Sequence, residues 1–133
     1  MTTLTSKNKR FSDLNFMFSS HPMTGDVTRK YDEDSVKQAL ISLIKTKPYE
    51  SPFHPEISCQ ANNLLFELAS PITAELIKTS IIQVISKFEP RINKFKVTVS
   101  DNIDANSYVI TIEYNIIGND RVSSVTTLLN RSR

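Results

Sequence analysis

The apolar positions of the chain follow one spacing before residue 90 and another after it. Val36, Ala39, Leu40, Leu43 and Ile44 recur at i, i+3, i+4, i+7 and i+8, the stripe of an amphipathic helix, and predict one over Val36 to Thr46. Ser35 with Gln38 three residues later has the form of a capping box, and Asp32 to Asp34 would place negative charge at the positive helix end. Pro48, Pro52 and Pro55 then bar a regular element, so Lys47 to Glu56 is expected to be a stiff, extended connector. A short second helix is expected from Cys59 to Leu68, burying Leu64, Leu65 and Leu68. The longest periodic stretch opens at Pro71 and Thr73. Its face of Leu76, Ile77, Ile81, Val84, Ile85 and Phe88 ends where Pro90 stops the helix.

Beyond Pro90 the period drops to two. Phe95, Val97 and Val99 alternate with Lys94, Lys96 and Thr98, and Tyr108, Ile110, Ile112, Tyr114 and Ile116 alternate with Val109, Thr111, Glu113 and Asn115. Both patterns predict strands with one buried face. Asp101 to Asn106 suits a hairpin loop, and Gly118, Asn119 and Asp120 suit a tight turn into a third segment, Val122 to Leu129. Helices first and a C-terminal β-meander afterwards make an α+β domain, with amphipathic helices packed on one face of a small antiparallel sheet. Ahead of it, Lys7, Lys9, Arg10, Arg29 and Lys30 stand against Asp13 and Asp26, with an apolar patch at Phe11, Leu14, Phe16, Met17 and Phe18. The expected division is an N-terminal arm, residues 1–30, and one domain, residues 31–133.

Composition removes whole classes of function. With 133 residues, 39% hydrophobic and 23% charged, the chain is long enough for one core. A net charge of +2 is too small to drive nucleic-acid binding through counterion release. Gly25 and Gly118 stand alone, so no Gly-rich phosphate loop or dinucleotide fingerprint is present. The single Cys59 has no cysteine to pair with, and no N-terminal apolar run resembles a signal peptide or a membrane span, so the chain reads as one made in the cytoplasm.

Candidate chemistry is sparse. His54 and Cys59 lie five residues apart and His21 stands in the arm, without the CxxC, HxxxH or HExxH spacing of a metal site. They read as surface histidines and a packed thiol, with no metal or cofactor expected. Glu56, Glu67 and Glu89 each sit beside apolar residues that could raise a carboxyl pKa, as a glycosidase acid requires, but their spacing does not set an acid against a nucleophile.

Two features stand out. Pro90 ends the long helix at Phe88, and Glu89 then opposes the helix dipole while Arg91 favours it. Both are expected on the surface, as a solvated helix stop or as a partner-binding corner. The second feature is the uncharged, proline-free run between Arg121 and Arg131. A last strand without the lysines, prolines or bulges that guard edges is either central or meant for extension by another chain.

The segments Phe53-His54-Pro55-Glu56, Leu65-Phe66-Glu67, Pro71-Ile72-Thr73-Ala74 and Phe88-Glu89-Pro90-Arg91-Ile92, in that order, resemble a family of baseplate wedge proteins and sheath initiators. The family belongs to contractile-tailed phages, is sometimes labelled lysozyme-like, and has relatives in contractile injection systems. The resemblance runs from about Asp32 to Ile117, and the Glu-Pro-Arg triplet after a long amphipathic helix is its specific part. Where the family usually carries Arg-Pro-Phe-x-Pro-Glu-Phe-Gly, this chain has Ser51-Pro52-Phe53-His54-Pro55-Glu56-Ile57-Ser58.

The resemblance implies a structural, non-enzymatic virion protein of the tail baseplate with a fold like the sheath's interlocking domain. Glu89, Pro90 and Arg91 would dock on the helical core bundle of the wedge. Val122, Val125, Thr127 and Leu129 would lie in the strand that pairs with the tail sheath subunit and templates its first ring. Tube or hub proteins would be further neighbours, with no nucleic acid, membrane or small-molecule substrate. The alternatives are a small peptidoglycan-cleaving glycosidase using Glu56, Glu67 or Glu89, and an adaptor that offers the same edge strand to unrelated partners.

Overall fold

The computed structural model describes residues 11–131, which divide after Gln38 into two compact units. In the first, β1 (Ser12–Leu14) and β2 (Arg29–Tyr31) pair antiparallel with Asp13 opposite Lys30. A bridge between Ser20 and Val27 continues the hairpin, so the segment marked as an arm contains regular pairing. Lys7, Lys9 and Arg10 lie outside the described residues.

The first helix, α1 (Asp32–Lys45), begins before the expected Val36 because Ser35 and Gln38 do not cap it. Ser35 Oγ instead donates to Asp13 Oδ2 at 2.6 Å. Gln38 Nε2 donates to the Leu14 carbonyl at 2.7 Å, and its Oε1 accepts from Phe16 N–H at 3.1 Å. The pair thus ties the hairpin to the helix. Asp32, at φ +45°, makes the turn out of β2, and its carboxylate accepts from the Phe11 amide at 3.1 Å.

In the second unit Leu40 and Ile44 of α1 are buried. The proline-rich connector is folded into turns rather than extended: Glu50 N–H reaches the Lys47 carbonyl at 3.2 Å and Ile57 N–H the His54 carbonyl at 3.0 Å. Prolines fix φ without forbidding turns. The second helix is a single turn, α2 (Ala61–Leu64), far short of the expected Cys59 to Leu68. Gln60 makes no side-chain cap, and Asn62 Nδ2 donates to the Ile44 carbonyl at 3.0 Å. The loop is held by a polar side chain from inside it, Leu65 is buried, Leu64 half-buried, and Leu68 is 88% exposed.

The long helix, α3 (Pro71–Phe88), starts and stops where its residues dictate. Ser70 in extended backbone accepts the Thr73 N–H at 3.1 Å, with Pro71 at the first helical position. Ile77, Ile81, Val84 and Ile85 face the core, Phe88 is half-buried, and Leu76 falls outside the face and is exposed. The sheet follows as β3 (Ile92–Asn102), β4 (Ser107–Ile116) and β5 (Val122–Asn130), antiparallel in the order β3-β4-β5. α3 lies against β3 and α2. The alternation places Tyr108, Ile110, Ile112, Tyr114 and Ile116 of the central strand in the core with Val97, Val125 and Leu129, the α+β arrangement expected.

Ser70→Ala should lower stability by about 1 kcal/mol through the lost N-cap. Urea denaturation followed by far-UV circular dichroism checks this, and an unchanged midpoint would mean that the cap carries no weight.

Candidate functional site: a helix-to-strand corner and an open sheet edge

At the end of α3, Glu89 N–H makes the last helical bond, to the Ile85 carbonyl at 3.0 Å. Glu89 then leaves the helical region at φ −119°, ψ 83°, as its position before Pro90 requires. Contrary to the surface expectation, Glu89 is 6% exposed. A carboxylate so deeply placed needs a partner, and Arg91 supplies it as a fork: Nε donates to Oε1 at 2.7 Å and Nη2 to Oε2 at 2.9 Å. The Arg91 backbone carries the corner into the sheet, its carbonyl accepting from Ile117 N–H at 2.9 Å. Pro90 is exposed, Arg91 half-buried and Glu89 buried, so the proline is the exposed residue of the corner.

The open edge is built by strand geometry. Arg131 N–H bonds to the Asn106 carbonyl at 2.9 Å, and Ser107 stands opposite Asn130. In a strand the direction of N–H and C=O alternates with every residue. Ser123, Val125, Thr127 and Leu129 therefore direct their main-chain groups to β4, while Val122, Ser124, Thr126, Leu128 and Asn130 direct theirs away from it. Among the described residues these outward groups have no backbone partner. The other edge differs: β3 carries Lys94 and Lys96 and a register shift between Ile92 and Lys94. The β5 pairing with β4 runs without a shift, and β5 has no charged residue.

Of the strand residues singled out in the sequence, Val122 lies on the outward set and is exposed, whereas Val125, Thr127 and Leu129 are buried with their main chain engaged by β4. Ser124, Thr126, Leu128 and Asn130, the rest of the outward set, are not among the residues the sequence singles out. Their signal is the alternation itself, once β5 is known to have one neighbour.

Residues 30–121 match the family described as baseplate wedge protein gp25. The chain is also 31% identical over 112 residues, 84% of its own length and 84% of the other's, to the baseplate wedge protein gp25 of Enterobacteria phage T4. The chain belongs to the gp25 baseplate wedge family. The family match contains the Glu89-Pro90-Arg91 corner and ends at Arg121, so β5 lies beyond it.

Solved structures share the fold. A chain named as a tail lysozyme from Geobacter sulfurreducens is similar at a TM-score of 0.70 and 20% identity, covering 76% of this chain and 92% of that one. A chain of the type VI secretion system baseplate complex gives 0.63 and 15%, covering 74% and 93%. One from the anti-feeding prophage baseplate gives 0.57 and 18%, covering 92% and 87%. At these identities the likeness is one of fold alone.

The remaining candidates of this gp25-family chain do not form a catalytic centre. His54 Nδ1 and Glu56 Oε1 lie 3.1 Å apart, both exposed. A hydrogen bond from its own backbone N–H, and then the bond to His54, hold the Glu56 carboxyl below the ordinary value. That is the wrong direction for a proton donor at neutral pH. Glu67 is exposed in the turn after α2. Cys59 is buried 4.0 Å from Ser80 Oγ, and burial pushes its thiol up, away from the nucleophilic thiolate. His21 Nδ1 accepts from Met23 N–H at 3.3 Å. No group of ligating side chains that could hold a metal ion occurs among the described residues.

The buried pair makes the two corner substitutions unequal. Arg91→Ala strands the Glu89 carboxylate, the more deeply buried partner, and should cost about 2 to 4 kcal/mol, whereas Glu89→Ala leaves the half-buried guanidinium and should cost about 1 to 2 kcal/mol. Urea unfolding at neutral pH measures both, and the reverse order would contradict this account of the corner.

Proposed function

We propose that the protein is a structural subunit of a contractile-tail baseplate wedge, a virion component that docks on the wedge's helical core bundle and starts sheath assembly by strand addition. The observation that carries this reading is the β5 edge, regular, uncharged and open, in a chain of the wedge family. Strand addition draws its affinity from main-chain bonds, and the five outward residues of β5 offer such a ladder to a sheath strand. Docking falls to the corner, where Glu89 fixes the guanidinium of Arg91 beside the exposed ring of Pro90. A corner whose side chains are already pinned to each other loses little side-chain entropy when a partner docks on it. In this reading the domain of residues 31–133 supplies both surfaces and residues 1–30 are an appended arm, with tube or hub proteins as further neighbours.

Proline separates the two roles of β5. In Thr126→Pro the lost N–H points away from β4, so the domain should fold and join baseplates. The added strand then loses a donor and meets the ring. Electron micrographs of lysates should show completed baseplates and tubes without sheath attached in register, and normal contractile tails would sink the templating reading. Thr127→Pro instead breaks the internal ladder opposite Ile110, and should leave little soluble protein.

The reading has no place for glycoside hydrolysis. Purified protein should cause no turbidity loss in a peptidoglycan suspension. A rate that vanishes in the triple change Glu56→Gln, Glu67→Gln and Glu89→Gln would overturn the non-enzymatic assignment in favour of a lysozyme.

A further inference from the structure

Beside the last residues of β5 lies a groove of about 640 Å³. Its floor and walls include Leu65, Phe66, Tyr49 and Leu129, and Lys45 and Lys47 stand at its sides. Two aromatic rings there are largely uncovered, Tyr49 at 84% and Phe66 at 71% exposure. No lining residue is acidic, and among the described residues neither lysine ammonium is in an ion pair. The nearby Glu50 carboxylate accepts the Lys47 backbone N–H at 2.9 Å and leaves that ammonium free.

We infer that this groove is the side-chain pocket for the strand added to β5, taking a large apolar residue next to a carboxylate from the end of that strand beside Asn130. The inference rests on the proposed strand addition and names the chemistry of the partner segment. Residues directly opposite on neighbouring strands share a face of the sheet. Leu129 turns its side chain to the core face. A residue of an added strand opposite Leu129 must turn the same way, and there it meets the groove rather than solvent. An apolar side chain at that place continues the core past β5 and covers Phe66 and Tyr49. The two lysines, lacking any internal acid, favour a carboxylate within reach. Main-chain bonds alone would accept any extended segment, and the groove is what discriminates among them.

The test uses the full chain and labelled synthetic peptides of alternating Thr and Val that differ only at one end: Phe-Asp, Ala-Asp or Phe-Lys. Fluorescence anisotropy should give about tenfold tighter binding for the Phe-Asp peptide than for either other, the size expected for one buried anchor or one matched charge. Lys45→Glu with Lys47→Glu, both exposed positions, should turn the preference toward Phe-Lys, and Phe66→Ala should erase the advantage of Phe over Ala. Equal binding of all three peptides, lost in Thr126→Pro, would overturn the groove and leave strand addition standing. No binding of any peptide would overturn strand addition and the groove with it. A Phe-Asp preference that survives Thr126→Pro would also overturn the inference, because the groove would then act apart from the edge.

Discussion

An extended strand turns each side chain to one face and each residue's N–H and C=O to one edge, and the two alternate in step. The arrangement of the sheet depends on that constraint. Once Val125, Thr127 and Leu129 are buried, their main chain must serve β4, and the residues between them must face outward with both side chain and backbone. The buried alternation of β4 fixes the register on both sides at once, since Tyr108 stands opposite Asp101 on one strand and Leu129 on the other. The two outer edges then differ only in what their sequences add. β3 has lysines and a register shift, the usual means of preventing association, and β5 has neither.

The corner obeys a different constraint with a similar outcome. Pro90 removes the helical option from Glu89, and the carboxylate ends up at the negative end of α3, where it is unfavourable alone. Burial makes an isolated charge worse still. The fork from Arg91 answers both, and in doing so fixes the guanidinium at the point where helix becomes sheet. Packing of α3 on β3 and the exposure of Pro90 are therefore properties of one short segment.

Much of this was legible in the residues. The period-two patterns give β3 and β4, the Gly118 to Asp120 turn gives β5, and the limits at Pro71 and Pro90 give α3, because each rests on a local rule that tertiary contacts reinforce. The failures share a cause. Ser35 and Gln38 satisfy the capping pattern, but a hairpin far earlier in the chain takes their hydrogen bonds. Asn62 holds the loop around α2 through the Ile44 carbonyl, so the apolar spacing up to Leu68 has no helix to use it. Glu89 reads as exposed because charge predicts exposure, and only the return of Arg91 across Pro90 makes burial tolerable. In each case a long-range or turn-closing polar bond decided, and hydrophobic period carries no information about such bonds. The corner triplet was visible as a motif, while its burial and the outward half of β5 needed the fold.

An edge strand proposed to template another chain must hold its register before that chain arrives, yet it is paired on one side only. Arg131 counters this directly. Its guanidinium lies 4.5 Å above the Tyr108 ring, and Nη2 reaches Asp101 Oδ1 at 3.3 Å on the far strand. One side chain at the end of β5 thus spans β4 and grips β3, while its N–H closes the ladder on Asn106. The clamp stands one residue beyond Asn130, where the open edge meets the groove. Without it the outward groups of Leu128 and Asn130 would be the first to lose alignment, and those are the groups that set which residue of an added strand falls opposite Leu129. Alignment at this end is therefore held by an aromatic ring and an aspartate from two strands and an arginine just past the third, and the selectivity proposed for the groove depends on it.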